Sequence, residues 1–160
     1  MKKSEEKYRT VADYTYDWEY WIGLDGQVIY MSPTAEKITG YSIEEFIRDP
    51  ALIDNIVFDG DKELWESHIK EEHRCMPGET VPEVNFRVVS KGGKIRWIDH
   101  TCRRIYSDGK CLGIRASNRD ITEKVVIEGA LFNVTIEEEE RERNRFAGEL
   151  HGCSELYQQH

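Results

Sequence analysis

The chain has no run near the ~18 consecutive apolar residues of a membrane-crossing helix. Nor is Met1-Lys2-Lys3-Ser4-Glu5-Glu6-Lys7 followed by the apolar core of a signal peptide. Cysteine pairing is equally absent: Cys75, Cys102, Cys111 and Cys153 show neither C-x-x-C nor zinc-finger spacing, so reduced thiols are expected. Positive charge is in deficit, with 22 Lys and Arg against 31 Asp and Glu and a net charge of -9. That balance argues against nucleic acid and anionic membrane surfaces as partners, because both are held by Lys and Arg clusters. A phosphate-cradling G-x-x-x-x-G-K-[ST] run is missing, and no local motif supplies paired catalytic carboxylates or a Ser-His-Asp set. The expectation is a cytoplasmic segment without autonomous catalysis, even if a longer parent protein is membrane-attached.

What is present is enough for one domain with an appendage. Of 160 residues, 39% are hydrophobic, which supports a core, and 33% are charged, which supports a polar surface.

The chain punctuates itself clearly. Glu5 to Tyr14 is spaced as a short amphipathic helix. Asp17 to Leu24 and Val28 to Ser32 read as strands around an Asp25-Gly26-Gln27 turn, since aromatic and β-branched residues suit half-buried sheet positions. Ser32-Pro33 is expected to open a helix with Ser32 as cap, Ala35 and Ile38 inward and Gly40 as stop. Ser42 and Glu45 form the spacing of a capping box for a second helix carrying Ile43, Phe46 and Ile47. After Asp49-Pro50 comes a short turn with Leu52, Ile53, Ile56 and Val57. A longer helix starts at Asp59 or Asp61, carries Leu64, Trp65, His68, Ile69 and Glu72 as a stripe, and ends before Met76-Pro77-Gly78.

Three strands follow, Val81 to Ser90, Lys94 to Ser107 and Lys110 to Ile121, the last two joined at Asp108-Gly109. Taking Gly92-Gly93 as a two-residue turn sets Val88 opposite Trp97, and the Asp108-Gly109 turn sets Ile105 opposite Leu112. The core face would then carry Phe86, Val88, Ile95, Trp97, Ile105, Leu112, Ile114 and Ala116. Arg96, His100, Cys102, Arg104, Tyr106, Cys111 and Arg115 would share the wetter face. Beyond Thr122 the period changes. Val125, Gly129, Phe132, Ile136, Glu139, Arg143, Phe146 and Leu150 alternate four and three apart like an interrupted coiled-coil seam.

This order of elements resembles the PAS sensor domains of signalling proteins. The resemblance is carried by Gly26-Gln27-Val28-Ile29-Tyr30-Met31-Ser32-Pro33, Ile38-Thr39-Gly40-Tyr41-Ser42-Ile43-Glu44-Glu45-Phe46, Gly93-Lys94-Ile95-Arg96-Trp97-Ile98 and Arg119-Asp120-Ile121-Thr122-Glu123. It implies an α+β fold: a five-stranded antiparallel sheet with short helices on one face, an amino-terminal helix and a long carboxy-terminal signalling helix. The expected divisions are a cap helix at 1–15, the PAS domain at 16–122, the signalling helix at 123–151 and a tail at 152–160. Separately, Glu142-Arg143-Asn144-Arg145-Phe146-Ala147-Gly148-Glu149-Leu150-His151 resembles the phosphoacceptor box of sensor histidine kinases, with His151 as acceptor. Gly152 stands where that family has an acid, so the segment reads as a truncated or degenerate box, inactive in isolation.

The function these resemblances imply is sensory input to a bacterial histidine kinase in a two-component system. The signal would be a small molecule, a redox change or a partner, and it would leave through Asp120, Ile121 and Thr122. The alternative is a ligand-free interaction and dimerisation module. The expected partners are a second copy of the chain, the parent's kinase domains and a small-molecule ligand of unknown identity. His68, Trp18, Tyr20, Trp97 and Asn118 are the candidate pocket residues. Haem is not expected, because the contexts of dedicated haem sensors do not surround His68 or His73. Flavin is not expected either, because no Asn-Cys-Arg-Phe-like segment occurs around Asp54-Asn55-Ile56. No metal is expected: His100 and Cys102 share a strand face, yet two donors fall short of a four-ligand site.

Overall fold

In the computed structural model, which describes residues 2–157 and the side chains of residues 2–149, the amino-terminal helix α1 covers Lys2–Asp13. Strands β1 (Trp18–Ile22) and β2 (Val28–Met31) pair around the expected turn. Helix α2 (Thr34–Thr39) ends at Gly40, whose left-handed backbone lets its N–H return to the Glu36 carbonyl. Helix α3 (Ile43–Arg48) opens on the expected capping box: Glu45 N–H donates to Ser42 Oγ at 3.2 Å, and Ser42 N–H donates to Glu45 Oε2 at 2.8 Å. Then come α4 (Leu52–Asn55), a 3-10 turn at Asp59–Asp61 and α5 (Lys62–Arg74). Strands β3 (Val84–Val89), β4 (Ile95–Ser107) and β5 (Lys110–Asp120) complete a five-stranded antiparallel sheet ordered β2-β1-β5-β4-β3. The core is one cluster in which Phe46, Ile53, Ile56 and Trp65 from the helical layer meet Trp18, Tyr20, Phe86, Val88, Ile98 and Ala116 from the sheet.

Two expected caps have other work. Ser32 does not cap α2; its hydroxyl donates to the Asp17 carbonyl and accepts from Glu19 N–H, holding the end of β2 to the start of β1. Asp61 sits at the N-cap of α5, but its carboxylate faces away. It accepts from Arg87 backbone N–H and Nε at 2.8 Å each and from Nη2 at 2.7 Å. The Arg87 guanidinium also lies 4.2 Å from the Phe58 ring centroid and 5.1 Å from that of Trp97. A charge-assisted network holds more here than one cap would.

The faces of β4 are the reverse of those expected. The β3–β4 connection leaves Lys91, Gly92 and Gly93 outside the ladder, with Ser90 N–H donating to the Lys94 carbonyl, so Val88 faces Arg96 and Phe86 faces Ile98. One extra turn residue shifts the register by one, and a shift of one exchanges the two faces of a strand. Ile98, His100 and Cys102 therefore face the helices, while Trp97 and Ile95 do not.

The Ser107 to Lys110 turn forms as expected, but a bulge after Ile105 pairs that residue with Gly113 and leaves Leu112 unmatched. Gly113 has φ +117, and a Cβ there would overlap the Ile22 carbonyl oxygen of β1. Only glycine permits that strand approach.

Helix α6 (Thr122–Tyr157) continues past the boundary expected at 151 and forms, from Glu123, a unit of its own. Phe132 and Phe146 of the expected seam are exposed on it. The His151 side chain and the end of the expected 152–160 tail lie outside the described residues. Among the described residues no helix is long and apolar enough to cross a membrane.

Candidate functional site: a cavity between the sheet and α5

The site is built where α5 lies over the centre of the sheet. Helical spacing puts Trp65, His68 and Glu72 on the buried side of α5. Strand alternation puts His100, Cys102 and Arg104 on the facing side of β4, with Tyr20 from β1 and Ile114 from β5 beside them. They border, except for His68, a cavity of about 430 Å³. Tyr20, Trp65, Ile53 and Ile69 give it apolar walls, and Glu72, His100, Cys102 and Arg104 give it polar points. Convergent polar groups in a largely apolar hollow are the usual composition of a small-molecule pocket.

An aromatic cluster fixes the back wall. The Trp65 ring centroid is 4.6 Å from Phe86 and 5.1 Å from His100, and the two histidine rings meet edge to face at 4.9 Å. Trp65 Nε1 donates to Asp54 Oδ1 at 2.7 Å, which joins α5 to α4. Behind His100, Asn118 Oδ1 accepts from Nδ1–H at 2.7 Å while Asn118 Nδ2 donates to the Trp18 carbonyl at 3.0 Å. Since the amide nitrogen is committed to Trp18, its oxygen faces His100, and the imidazole carries its proton on Nδ1. His68 Nε2 is 3.4 Å from Cys102 Sγ.

Burial controls protonation throughout. It lowers His100 to about 4, with the Asn118 hydrogen bond opposing and His68 reinforcing the shift. Burial also lowers His68 against the opposing effect of Glu71. Cys102 is pushed up to about 12 by burial, helped by Glu72 and Cys75, so its thiol is protonated at neutral pH. The Glu72 carboxyl is raised by burial, with His73 and Arg104 acting the other way. Tyr20 is raised by burial, followed by Cys102, Asp54 and Glu72. Apart from Glu72 and Arg104, the polar groups on offer are neutral: imidazole lone pairs, a thiol and a phenol.

Of the sequence-derived candidates, Tyr20 lines the cavity and His68 stands directly behind Cys102. Asn118 supports His100 rather than lining the cavity. Trp18 packs on Tyr20 and Phe46 within the core, each at 5.7 Å between ring centroids. Trp97 is on the opposite sheet face under Arg87. His73 is exposed and bonded to its own helix at the Ile69 carbonyl. His100, Cys102 and Glu72 were not among the expected pocket residues. A sequence signal existed for Glu72, an acid on the otherwise apolar stripe of α5.

At the end of the same β4–β5 pair, Ile121 N–H donates to the Trp97 carbonyl at 2.9 Å. Trp97 N–H donates to Thr122 Oγ1 at 2.9 Å, and Thr122 donates through both its N–H and its hydroxyl to Asp120 Oδ1. Arg96 Nη1 lies 3.7 Å from Asp120 Oδ2. The three expected exit residues thus form one connected joint with Arg96 and Trp97.

A family model described as PAS fold matches residues 28–118. The chain belongs to the PAS-fold family. The PAS domain of a protein from Colwellia psychrerythraea is 27% identical, with a TM-score of 0.61 over 75% of this chain and 98% of that one. A sensory box histidine kinase/response regulator structure from Burkholderia thailandensis E264 is 23% identical, with a TM-score of 0.59 over 84% of this chain and 98% of that one. The PAS domain of an HTR-like protein from Haloarcula marismortui shares the fold at 14% identity, with a TM-score of 0.60 over 75% of this chain and 93% of that one. No curated protein matches. The PAS assignment accounts for the five-stranded antiparallel sheet and the short helices packed on it.

Proposed function

We propose that this PAS domain is the sensory input of a bacterial signal-transduction histidine kinase and that it binds a small molecule between α5 and the sheet. The observation that carries this reading is the cavity of about 430 Å³, whose His100 and Cys102 stand on the same strand as Arg96 and Trp97 of the exit joint. A ligand that binds two arrangements of β4 unequally changes their populations, and Asp120, Ile121 and Thr122 pass the difference to the start of α6. The kinase assignment of the parent draws on the sensory box histidine kinase among the similar structures. The family match covers residues 28–118, and the proposed route through β4 and the exit joint does not call on His151.

The test is native mass spectrometry and an absorption spectrum of freshly purified chain, followed by a thermal-shift screen of metabolites. Ligand-dependent stabilisation that is lost on filling the cavity through Cys102→Phe supports the reading. Equal stabilisation of that variant, with its fold intact, refutes it.

Exposed Phe132 and Phe146 on α6 favour a second reading, a ligand-free dimerisation module. Sedimentation distinguishes them: that reading requires a dimer that breaks on Phe132→Glu and a cavity that never binds a ligand.

A further inference from the structure

The cluster of His68, His100 and Cys102 is assembled from two elements distant in sequence, and its donor set has a chemistry of its own. One ring nitrogen of each histidine and the Cys102 sulfur lie within 4.8 Å of one another. In a tetrahedral zinc site, Zn–N of about 2.05 Å and Zn–S of about 2.3 Å set neighbouring N and S about 3.6 Å apart. His68 Nε2 and Cys102 Sγ are already at 3.4 Å.

The orientation of His100 points the same way. Asn118 takes its Nδ1–H, which leaves Nε2 as a bare lone pair and fixes the ring, the support that metal-bound histidines ordinarily receive. Glu72 supplies an independent observation. It follows His68 by one helical turn, is only 3% exposed, lines the cavity, and its Oε1 has no hydrogen-bond partner among the described residues. The nearest cation, Arg104 Nη2, is at 3.6 Å, beyond hydrogen-bond distance. A buried carboxylate oxygen without a partner is costly unless something satisfies it.

We propose that His68, His100 and Cys102 bind a zinc-class divalent ion, with Glu72 as the fourth donor after a side-chain adjustment. Two imidazoles and a thiolate select a borderline ion over Mg²⁺ or Ca²⁺, which require oxygen ligands. On binding, the Cys102 S–H bond breaks, its proton passes to water, and the Sγ–metal bond forms without any redox change. The thiolate and the Glu72 carboxylate then balance the 2+ ion within the buried site. The proposal stands on the donor geometry alone and needs neither a kinase parent nor an organic ligand.

The test uses the full chain with Cys75, Cys111 and Cys153 replaced by Ser, which leaves Cys102 as the sole thiol. After chelator treatment it is titrated with Co²⁺ and then back-titrated with Zn²⁺. The expected result is one Co²⁺ per chain, with a thiolate-to-cobalt charge-transfer band in the near ultraviolet and intense tetrahedral visible bands, all displaced by Zn²⁺. Cys102→Ser removes the charge-transfer band. His68→Gln, read by the same bands while circular dichroism reports an intact fold, weakens binding by at least about tenfold, as loss of an inner ligand must when loss of outer support alone costs that much. Zn²⁺ also raises the melting temperature of the single-thiol protein and not that of Cys102→Ser. A folded single-thiol protein without the charge-transfer band overturns the proposal, as does a band that survives Cys102→Ser.

Discussion

Replacing Asn118 by Leu removes a side chain that joins β1, β4 and β5 inside the core. Leucine has the same branching and number of heavy atoms, and its methyl groups are somewhat larger, so the effect is one of lost hydrogen bonds with some crowding rather than of an empty space. His100 Nδ1–H loses its acceptor, and the Trp18 carbonyl, which stays paired in the β1–β5 ladder, loses its side-chain donor. A buried donor left without a partner costs about 1–3 kcal/mol and a lost second hydrogen bond about 0.5–1.5 kcal/mol, which gives about 1.5–4.5 kcal/mol together. His100 can recover part of its share by moving the proton to Nε2, so the lower half of that range, about 1.5–3 kcal/mol, is the expected loss.

Urea unfolding followed by tryptophan fluorescence reads this loss as a lower midpoint at an unchanged slope. The double variant Asn118→Leu with His100→Phe supplies the sharper comparison, because replacing both members of a buried pair by apolar groups costs much less than stranding one. Its destabilisation should fall short of the sum of the single losses by at least about 1 kcal/mol. Additive losses, or a loss below about 1 kcal/mol for Asn118→Leu alone, would refute the role assigned to this amide.

Three further outcomes are expected. Gly113→Ala forces a methyl group into the Ile22 carbonyl at a positive φ and should lower stability by about 3 kcal/mol or more, while Leu112→Ala next to it on the exposed bulge should cost less than about 1 kcal/mol, both by thermal unfolding. Thr122→Val deprives Trp97 N–H of its acceptor, so hydrogen exchange should accelerate at the Trp97 amide while the amides of β1 and β2 keep their protection. Arg87 hydrogen bonds hold the Asp61 carboxyl below its ordinary 3.8, against the opposing effect of burial. A lowered folded-state value means that this contribution is complete well above pH 3.8 and is lost as pH falls through the folded value. Asp61→Asn should therefore flatten the acid side of a stability-against-pH curve, and parallel curves for the two proteins would sink the assignment.

The fold was legible wherever local chemistry dictates local geometry. Ser42 with Glu45, Gly40 after Thr39, and Asp108-Gly109 between strands each permit few backbone solutions, and the structure adopts the expected ones. Strand phase was not legible, because it depends on turn length. Lys91-Gly92-Gly93 accommodates two loop residues or three from sequence alone, and that single residue decides whether Trp97 or His100 faces the core. The bulge at Gly113 answers a neighbour from another part of the chain, the Ile22 carbonyl, which no local pattern encodes. The candidate site was hidden for the same reason. His100 and Cys102 look like a two-donor fragment until α5 brings His68 across a separation of 34 residues.

The strand order β2-β1-β5-β4-β3 also bears on how the polypeptide emerges from a ribosome. The last strand made is the central one, and Trp18 waits for Asn118 before β1 gains its inner neighbour. Until then the nascent chain holds two separate ladders, β1 with β2 and β3 with β4, each with an open inner edge able to capture a strand from another molecule. A chain released after Ser107 would keep both edges and lack the strand that closes them, so premature termination there yields a species poised to aggregate rather than a smaller folded domain.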